Sequence, residues 1–237
     1  LVHGVRVPQV GRLCLDRCML DVTGVPDVRV GDIAVFVGPD GGSHQMLEDI
    51  SLMRGLPNMR VLVPADYEAA RAAIRLAAET PGPVYVRMGR ASVPAVYAEG
   101  VQLELGRAYV LREGTDATIV ACGVMIDQAL KAADMLEQKG VSVEVIDAFS
   151  VKPLDEETIL TSVRKTGCVV TAEEHSVYGG LGSAVAETLV QNEPVPMEMI
   201  GMKDRFGKSG AFEELLDYFK MDAAAIVDAV ERVRSRA

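Results

Sequence analysis

Cations are in short supply in this sequence. Lys and Arg number 24 against 34 Asp and Glu, a formal net charge of −10. Binding to a nucleic-acid backbone needs clustered Lys and Arg, so no nucleic-acid partner is expected. A small anionic substrate is not excluded, because two or three local cations suffice for one. Histidine is scarcer still, with three residues, and cysteine is limited to Cys14, Cys18, Cys122 and Cys168. No second Cys or His pair follows Cys14 and Cys18 to complete a zinc pattern. Cys122 and Cys168 fall in apolar, strand-like runs, where a buried free thiol is expected. Neither a metal site nor a disulfide is therefore expected. No apolar run reaches membrane length and no signal peptide is evident, so the expectation is a cytoplasmic protein with no membrane partner. Low-complexity segments and repeats of fixed period are also missing.

What is there is ordinary globular material. Of the 237 residues, 49% are hydrophobic and 24% charged, enough for one large or two small domains with ample core. The carboxyl-terminal part alternates strand-like and helix-like runs. ATIVACG (117–123), VSVEVIDAF (141–149), CVVTAEE (168–174) and PMEMIGM (196–202) read as strands. Helices are expected over 125–140, 152–167 and 180–192, with two more near 211–219 and 222–235. In the first of these, Ile126, Ala129, Ala133 and Leu136 share one face. In the second, acidic residues open the helix and cations close it, as the macrodipole favours. Such alternation implies an α/β fold with a parallel sheet, and a domain is drawn over 103–237. Residues 39–95 repeat the same grammar. Helices are expected over 44–56 and 66–80, the latter capped by Asp66, with strands over 59–65 and 83–88. Residues 89–102 read as a linker. Residues 1–38 are broken by Gly, Pro and Asp and read as β-hairpin or small-barrel material.

One run concentrates chemistry. VGPDGGSHQMLED (37–49) gathers Asp40, Gly41, Gly42, Ser43 and His44. An imidazole near neutral pKa and a carboxylate suit a hydroxyl-bearing ligand, and the glycines let backbone approach it. Ser43 can cap the helix that follows. On the residue pattern alone, a loop-to-helix turn with a satisfied histidine is the favoured explanation of the run. Arg87 and Arg90 close PVYVRMGR and are candidates for a phosphate, or else surface residues. EEHSVYGGLG places glycines before a helix, but no GK[ST] follows. A phosphate loop is therefore not expected, and Glu173, Glu174 and His175 are assigned to an interdomain or subunit contact.

From about residue 37 onward the chain resembles the carboxyl-terminal half of transketolase, especially the short subunit of split transketolases. The resembling residues are GPDGGSHQMLEDISLMRGLPNMRVLVPAD, GPVYVRMGR, VIDAFSVKPLDEETI, TAEEHSVYGGLGSAVAE and DRFGKSG, in that order. The 1-deoxyxylulose-5-phosphate synthases and the β subunits of 2-oxoacid dehydrogenases share this layout. The resemblance implies an α/β fold class: a truncated thiamine-diphosphate pyrimidine-binding-type parallel sheet over 39–102, then a transketolase carboxyl-terminal-type α/β domain over 103–237, preceded by a short β segment. That opening segment, VPQVGRLCLDRCMLDVTGVPDVRVGDIAVFVG, resembles part of the carboxyl-terminal β domain of alanine racemase. It implies no racemase activity, because the lysine-bearing barrel is absent, and the chain reads as a chimera joined near Val37–Gly38.

Members of the transketolase family move a two-carbon ketol unit between sugar phosphates, using thiamine diphosphate and Mg. The resemblance makes Asp40 and His44 the residues that contact sugar hydroxyls and assist proton transfer. Ser43, Arg87 and Arg90 become substrate-binding candidates, with either arginine meeting phosphate. The family's AEQ-type motif, whose glutamate activates the cofactor, does not occur here, nor does its GDG-type diphosphate and metal motif. The cofactor is therefore expected only where a partner completes the site. That partner would be a transketolase amino-terminal subunit or a further copy in a homo-oligomer. The alternative is a non-catalytic association module. Loss of the first half of its sheet would leave an apolar edge to be covered by the opening segment or by other chains.

Overall fold

The computed structural model describes residues 9–10, 19–20, 23–27 and 46–237, apart from 90 and 209. The chain separates into two compact units, Leu1–Gln45 and Met46–Ala237. In the first, β1 (Gln9–Val10) pairs antiparallel with β2 (Met19–Leu20), and Val25 is buried in the turn after them.

The second unit opens with α1 (Asp49–Arg54), β3 (Arg60–Leu62), α2 (Tyr67–Glu79) and β4 (Val84–Val86). After a stretch without helix or strand come β5 (Tyr109–Arg112), β6 (Ala117–Ala121), α3 (Met125–Glu137), β7 (Val143–Asp147) and β8 (Ser150–Lys152). The chain continues through α4 (Glu156–Thr166), β9 (Val169–Ser176), α5 (Leu181–Asn192), β10 (Met197–Met202), α6 (Phe212–Phe219) and α7 (Ala223–Arg234).

Two sheets result. The larger has the order β10-β9-β6-β7-β5, parallel except for β5. β6 and β7 are buried at every residue, as strands covered on both faces must be. One face packs on α3 and α7 through Ile119, Val145, Ile126, Leu136 and Ile226. The other packs on α4 and α5 through Val120, Ile146, Ile159 and Leu181. The smaller sheet has the order β4-β3-β8. Its first two strands are parallel; β8, which comes from beyond residue 103, joins antiparallel. A strand from the later sequence thus occupies one side of β3.

Local chemistry sets the helix ends. Asp66, Asp155 and Asp222 each accept a backbone N–H from the first turn of the helix that follows. α4 carries Glu156 and Glu157 in its first turn, Arg164 and Lys165 in its last, and ends at Gly167 in the left-handed conformation (φ 76°). Helix α4 begins four residues later than the 152–167 expected, because Lys152 precedes Pro153 and is held extended in β8. The helix expected over 44–56 is six residues long within the described part, and only Ile50 of its apolar stripe is fully buried. Cys122 and Cys168 are buried free thiols.

Asp155 does more than cap. Its carboxylate also accepts from the Thr158 hydroxyl (2.9 Å) and from Ala108 N (3.0 Å), which ties the edge strand β5 to α4. Asp155→Ala is expected to lower unfolding stability by about 2 kcal/mol, more than a surface cap alone, in urea denaturation.

Candidate functional site

In an open parallel sheet, ligands gather outside the carboxyl ends of strands where successive connections run opposite ways. Here that point lies between β6 and β9. The chain leaves β6 through α3 towards β7, and leaves β9 through α5 towards β10 on the other side. The chain itself lines this crevice. Gly123 N donates to Val63 O, and Arg87 from beyond β4 meets Glu174 at the end of β9.

Arg87 is the centre of the arrangement. It is 7% exposed, and Asp49 beside it 4%. Its Nε donates to both Asp49 oxygens (3.2 and 3.0 Å). Nη1 donates to Glu174 Oε2 (3.2 Å), and Nη2 to the carbonyls of Glu174 (2.7 Å) and Met46 (3.2 Å). Four of the five guanidinium N–H groups are thereby committed to protein acceptors. Tyr85 completes the cluster by donating to Asp49 Oδ2 (2.7 Å). Burial works against the arginine's charge, but Asp49 and Glu174 outweigh it and raise its pKa. Burial raises Glu174 above the ordinary carboxylate range, with Arg87 pulling it back. Burial and the bond to Asp49 push the Tyr85 phenol up. The Cys122 thiol, buried nearby, is pushed well up by burial and so is no nucleophile.

β9 adds a second tie. His175, fully buried, receives the N–H groups of Ile50 (3.1 Å) and Ser51 (3.3 Å) on Nε2. These are orphan donors of the first turn of α1, whose own N-cap Glu48 makes no capping bond. Nδ1 must then carry the proton and donate to Ser176 O (2.6 Å). Burial opposes a charged imidazole, whereas Glu173, 3.5 Å away, and the Ser176 carbonyl raise its pKa. These influences conflict and the geometry decides, since a second proton would sit on Nε2 facing two donors. Glu173 accepts from Leu181 N and Gly182 N (2.7 and 2.8 Å), so a carboxylate already fills the N-terminus of α5. The glycines of YGGLG make room for this packing. A Cβ on Gly180 would lie 2.0 Å from Glu173 Oε2, and one on Gly179 (φ 78°) 2.6 Å from Ser51 Cβ.

Of the residues singled out from sequence, Asp40, Ser43, His44 and Arg90 lie outside the described residues. Arg87 lies inside the ion cluster just described. Glu174 and His175 join β9 to the segment 46–51 and to Arg87. Sequence reasoning missed Asp49 and Tyr85 as members of this cluster. Asp49 stands 36 residues before Tyr85 and 38 before Arg87, and no spacing rule links positions so far apart. Among the described residues, no group of three or more His, Cys, Asp or Glu could hold a metal ion. The described residues do not fit a diphosphate group either. The crevice cations are spent on the chain's own carboxylates, and a cavity of about 310 Å³ beside α1 and α5 sets Arg54 and Lys152 among Glu156 and Glu187. Lys152 there binds the carbonyls of Arg54 and Leu56, and Arg54 pairs with Glu187.

Comparison with known proteins agrees with this architecture. The family model described as "Transketolase, C-terminal domain" matches residues 106–226, and that described as "Transketolase, pyrimidine binding domain" matches 27–95. The chain is 45% identical over 228 residues to the 6-deoxy-6-sulfo-D-fructose transketolase subunit SqwH of Clostridium sp. (strain MSTE9), covering 95% of this chain and 70% of that protein. That alignment reaches into the opening segment. It is 40% identical over 193 residues to a subunit of the apulose-4-phosphate transketolase of Phocaeicola vulgatus, covering 81% of this chain and 62% of the relative. A solved structure, described as a split gene transketolase in the form of an inactive beta4 tetramer, superposes with a TM-score of 0.79 at 49% identity, covering 81% of this chain and 63% of that one.

Replacing Arg87 with Met leaves Asp49 and Glu174 buried without a cation. A loss of about 3 to 5 kcal/mol is expected in chemical denaturation. Arg87→Lys is expected to recover only part of it, because a single ammonium cannot reach all four acceptors at once.

Proposed function

The chain belongs to the transketolase family, and from that premise we propose that it is the acceptor-binding part of a ketol-transferring enzyme completed by partner chains. In this reading residues 39–102 are the pyrimidine-binding portion and 103–237 the carboxyl-terminal domain. The observation that carries the proposal is the run Asp40-Gly41-Gly42-Ser43-His44, retained within a chain that matches both family domains. Asp40 accepts hydrogen bonds from sugar hydroxyls, and His44 holds or moves a proton at a hydroxyl oxygen. Ser43 adds a hydroxyl contact. Arg90 meets the substrate phosphate, because Arg87 is already committed to Asp49 and Glu174.

Thiamine diphosphate, bound with Mg by a partner, supplies the carbanion stabilisation of ketol transfer. The AEQ-type glutamate and the GDG-type motif are not in these 237 residues, and the proposal assigns both to that partner. These 237 residues assayed alone are accordingly expected to show little or no ketol transfer. A second reading, an association module without catalysis, is favoured by the solved relative, whose β chains form an inactive tetramer.

Ketol transfer from xylulose 5-phosphate to ribose 5-phosphate tests this. The assay contains thiamine diphosphate and Mg, with and without a transketolase amino-terminal subunit. Activity is expected only with the subunit, and His44→Ala and Asp40→Ala should each lower it by roughly a hundredfold or more. Silence in both conditions from a folded chain would leave the association module.

A further inference from the structure

Asp147 ends β7 with its side chain fully buried. Its Oδ2 accepts from the Tyr97 hydroxyl (2.7 Å), and its Oδ1 has no partner among the described residues. Tyr97 lies in the stretch between β4 and β5 that joins the two sheets. The same two-residue step is gripped from the other side: Asp66 Oδ2 accepts from Val96 N (2.6 Å) and Tyr97 N (2.8 Å) while Asp66 Oδ1 caps α2. The Tyr97 ring stands edge-on to Tyr109 of β5, 6.2 Å between centroids. The connector is thus pinned by its backbone to the smaller sheet's helix and by its side chain to the larger sheet.

We propose that Asp147 and Tyr97 form a proton-operated latch, which holds the connector against the larger sheet while the carboxyl is neutral and loosens it on ionisation. A neutral carboxyl needs no counter-charge in this setting. An ionised one leaves Oδ1 buried with no protein donor among the described residues, and its relief is exposure to solvent, which requires Tyr97 to move aside. Among the described residues, the titratable groups around it offer no cation. From the connector comes Tyr97, from the start of α2 Asp66, from β5 Tyr109 and from the end of β6 Cys122. Burial pushes the Asp147 carboxyl up to about 7; the Tyr97 bond lowers it and Asp66 raises it further. Burial and Asp147 in turn raise the Tyr97 phenol, so it remains a donor throughout.

The sign follows from linkage. The closed form holds its proton to about pH 7, whereas an opened, hydrated carboxyl releases it near the ordinary 3.8. Raising the pH between those values therefore favours opening, by up to about tenfold per unit, and above pH 7 the effect levels off.

Hydrogen exchange of the Val96 and Tyr97 amides, measured on the whole chain from pH 5 to 8 and corrected for intrinsic exchange, reads the opening directly. An increase on the order of a hundredfold is expected in the native protein. Asp147→Asn, which mimics the neutral carboxyl, is expected to abolish the dependence. A flat profile in the native protein, or the same rise in Asp147→Asn, overturns the latch. Should Asp147→Asn fail to fold, Tyr97→Phe decides the matter. Loss of the phenol bond raises the carboxyl's pKa, so the midpoint of opening must move to higher pH; an unmoved midpoint overturns the proposal.

Discussion

A guanidinium buried between two carboxylates is the constraint on which this structure depends. Desolvating Arg87 is costly, and the cost is offset only if Asp49 and Glu174 approach together and Tyr85 fixes the remaining lone pair. Those four residues come from α1, from β4 and the residue that follows it, and from β9. Meeting the electrostatic requirement therefore brings three distant parts of the sequence to one point. His175 and Glu173 extend the same logic to neutral groups, each satisfying helix N–H donors that would otherwise be buried unpaired.

This constraint also bears on what the crevice can do. The place where a doubly wound sheet usually takes its ligand is given over to internal contacts. The proposed roles of Asp40, His44 and Arg90 fall outside this charged cluster. A cluster with four of five donors committed is a rigid tie between α1, β4 and β9.

Much of the fold was legible in the sequence, for physical reasons that can be named. β6 and β7 are short, mostly apolar runs buried on both faces, and α3 repeats Ile126, Ala129, Ala133 and Leu136 at helical spacing, all of them buried. Caps such as Asp66 act locally, where sequence reasoning is strongest. The short strands β5 and β8 were not legible, because three or four residues of mixed burial carry no period. Their existence is decided by the neighbours they pair with. The arginine cluster was half legible: Arg87 stood out as a phosphate candidate, and Glu174 and His175 as contact residues. The internal partners they meet depend on tertiary approach, which no spacing rule encodes. Asp147 gave no signal at all, since a lone acid at a strand end is ordinary until its burial is known.

The placement of β8 has a consequence for inheritance. In the linear order of the chain, Ser150–Lys152 belongs to the later region, yet its hydrogen bonds are made with β3 of the earlier one. A recombination event that exchanged the region before residue 103 for a homologous one would keep the reading frame and still transplant β3 beside a foreign strand. Compatibility at that seam is set by the register Val61 with Lys152 and Leu62 with Ser150. The unit that folds around β3 is accordingly larger than the stretch of sequence before residue 103.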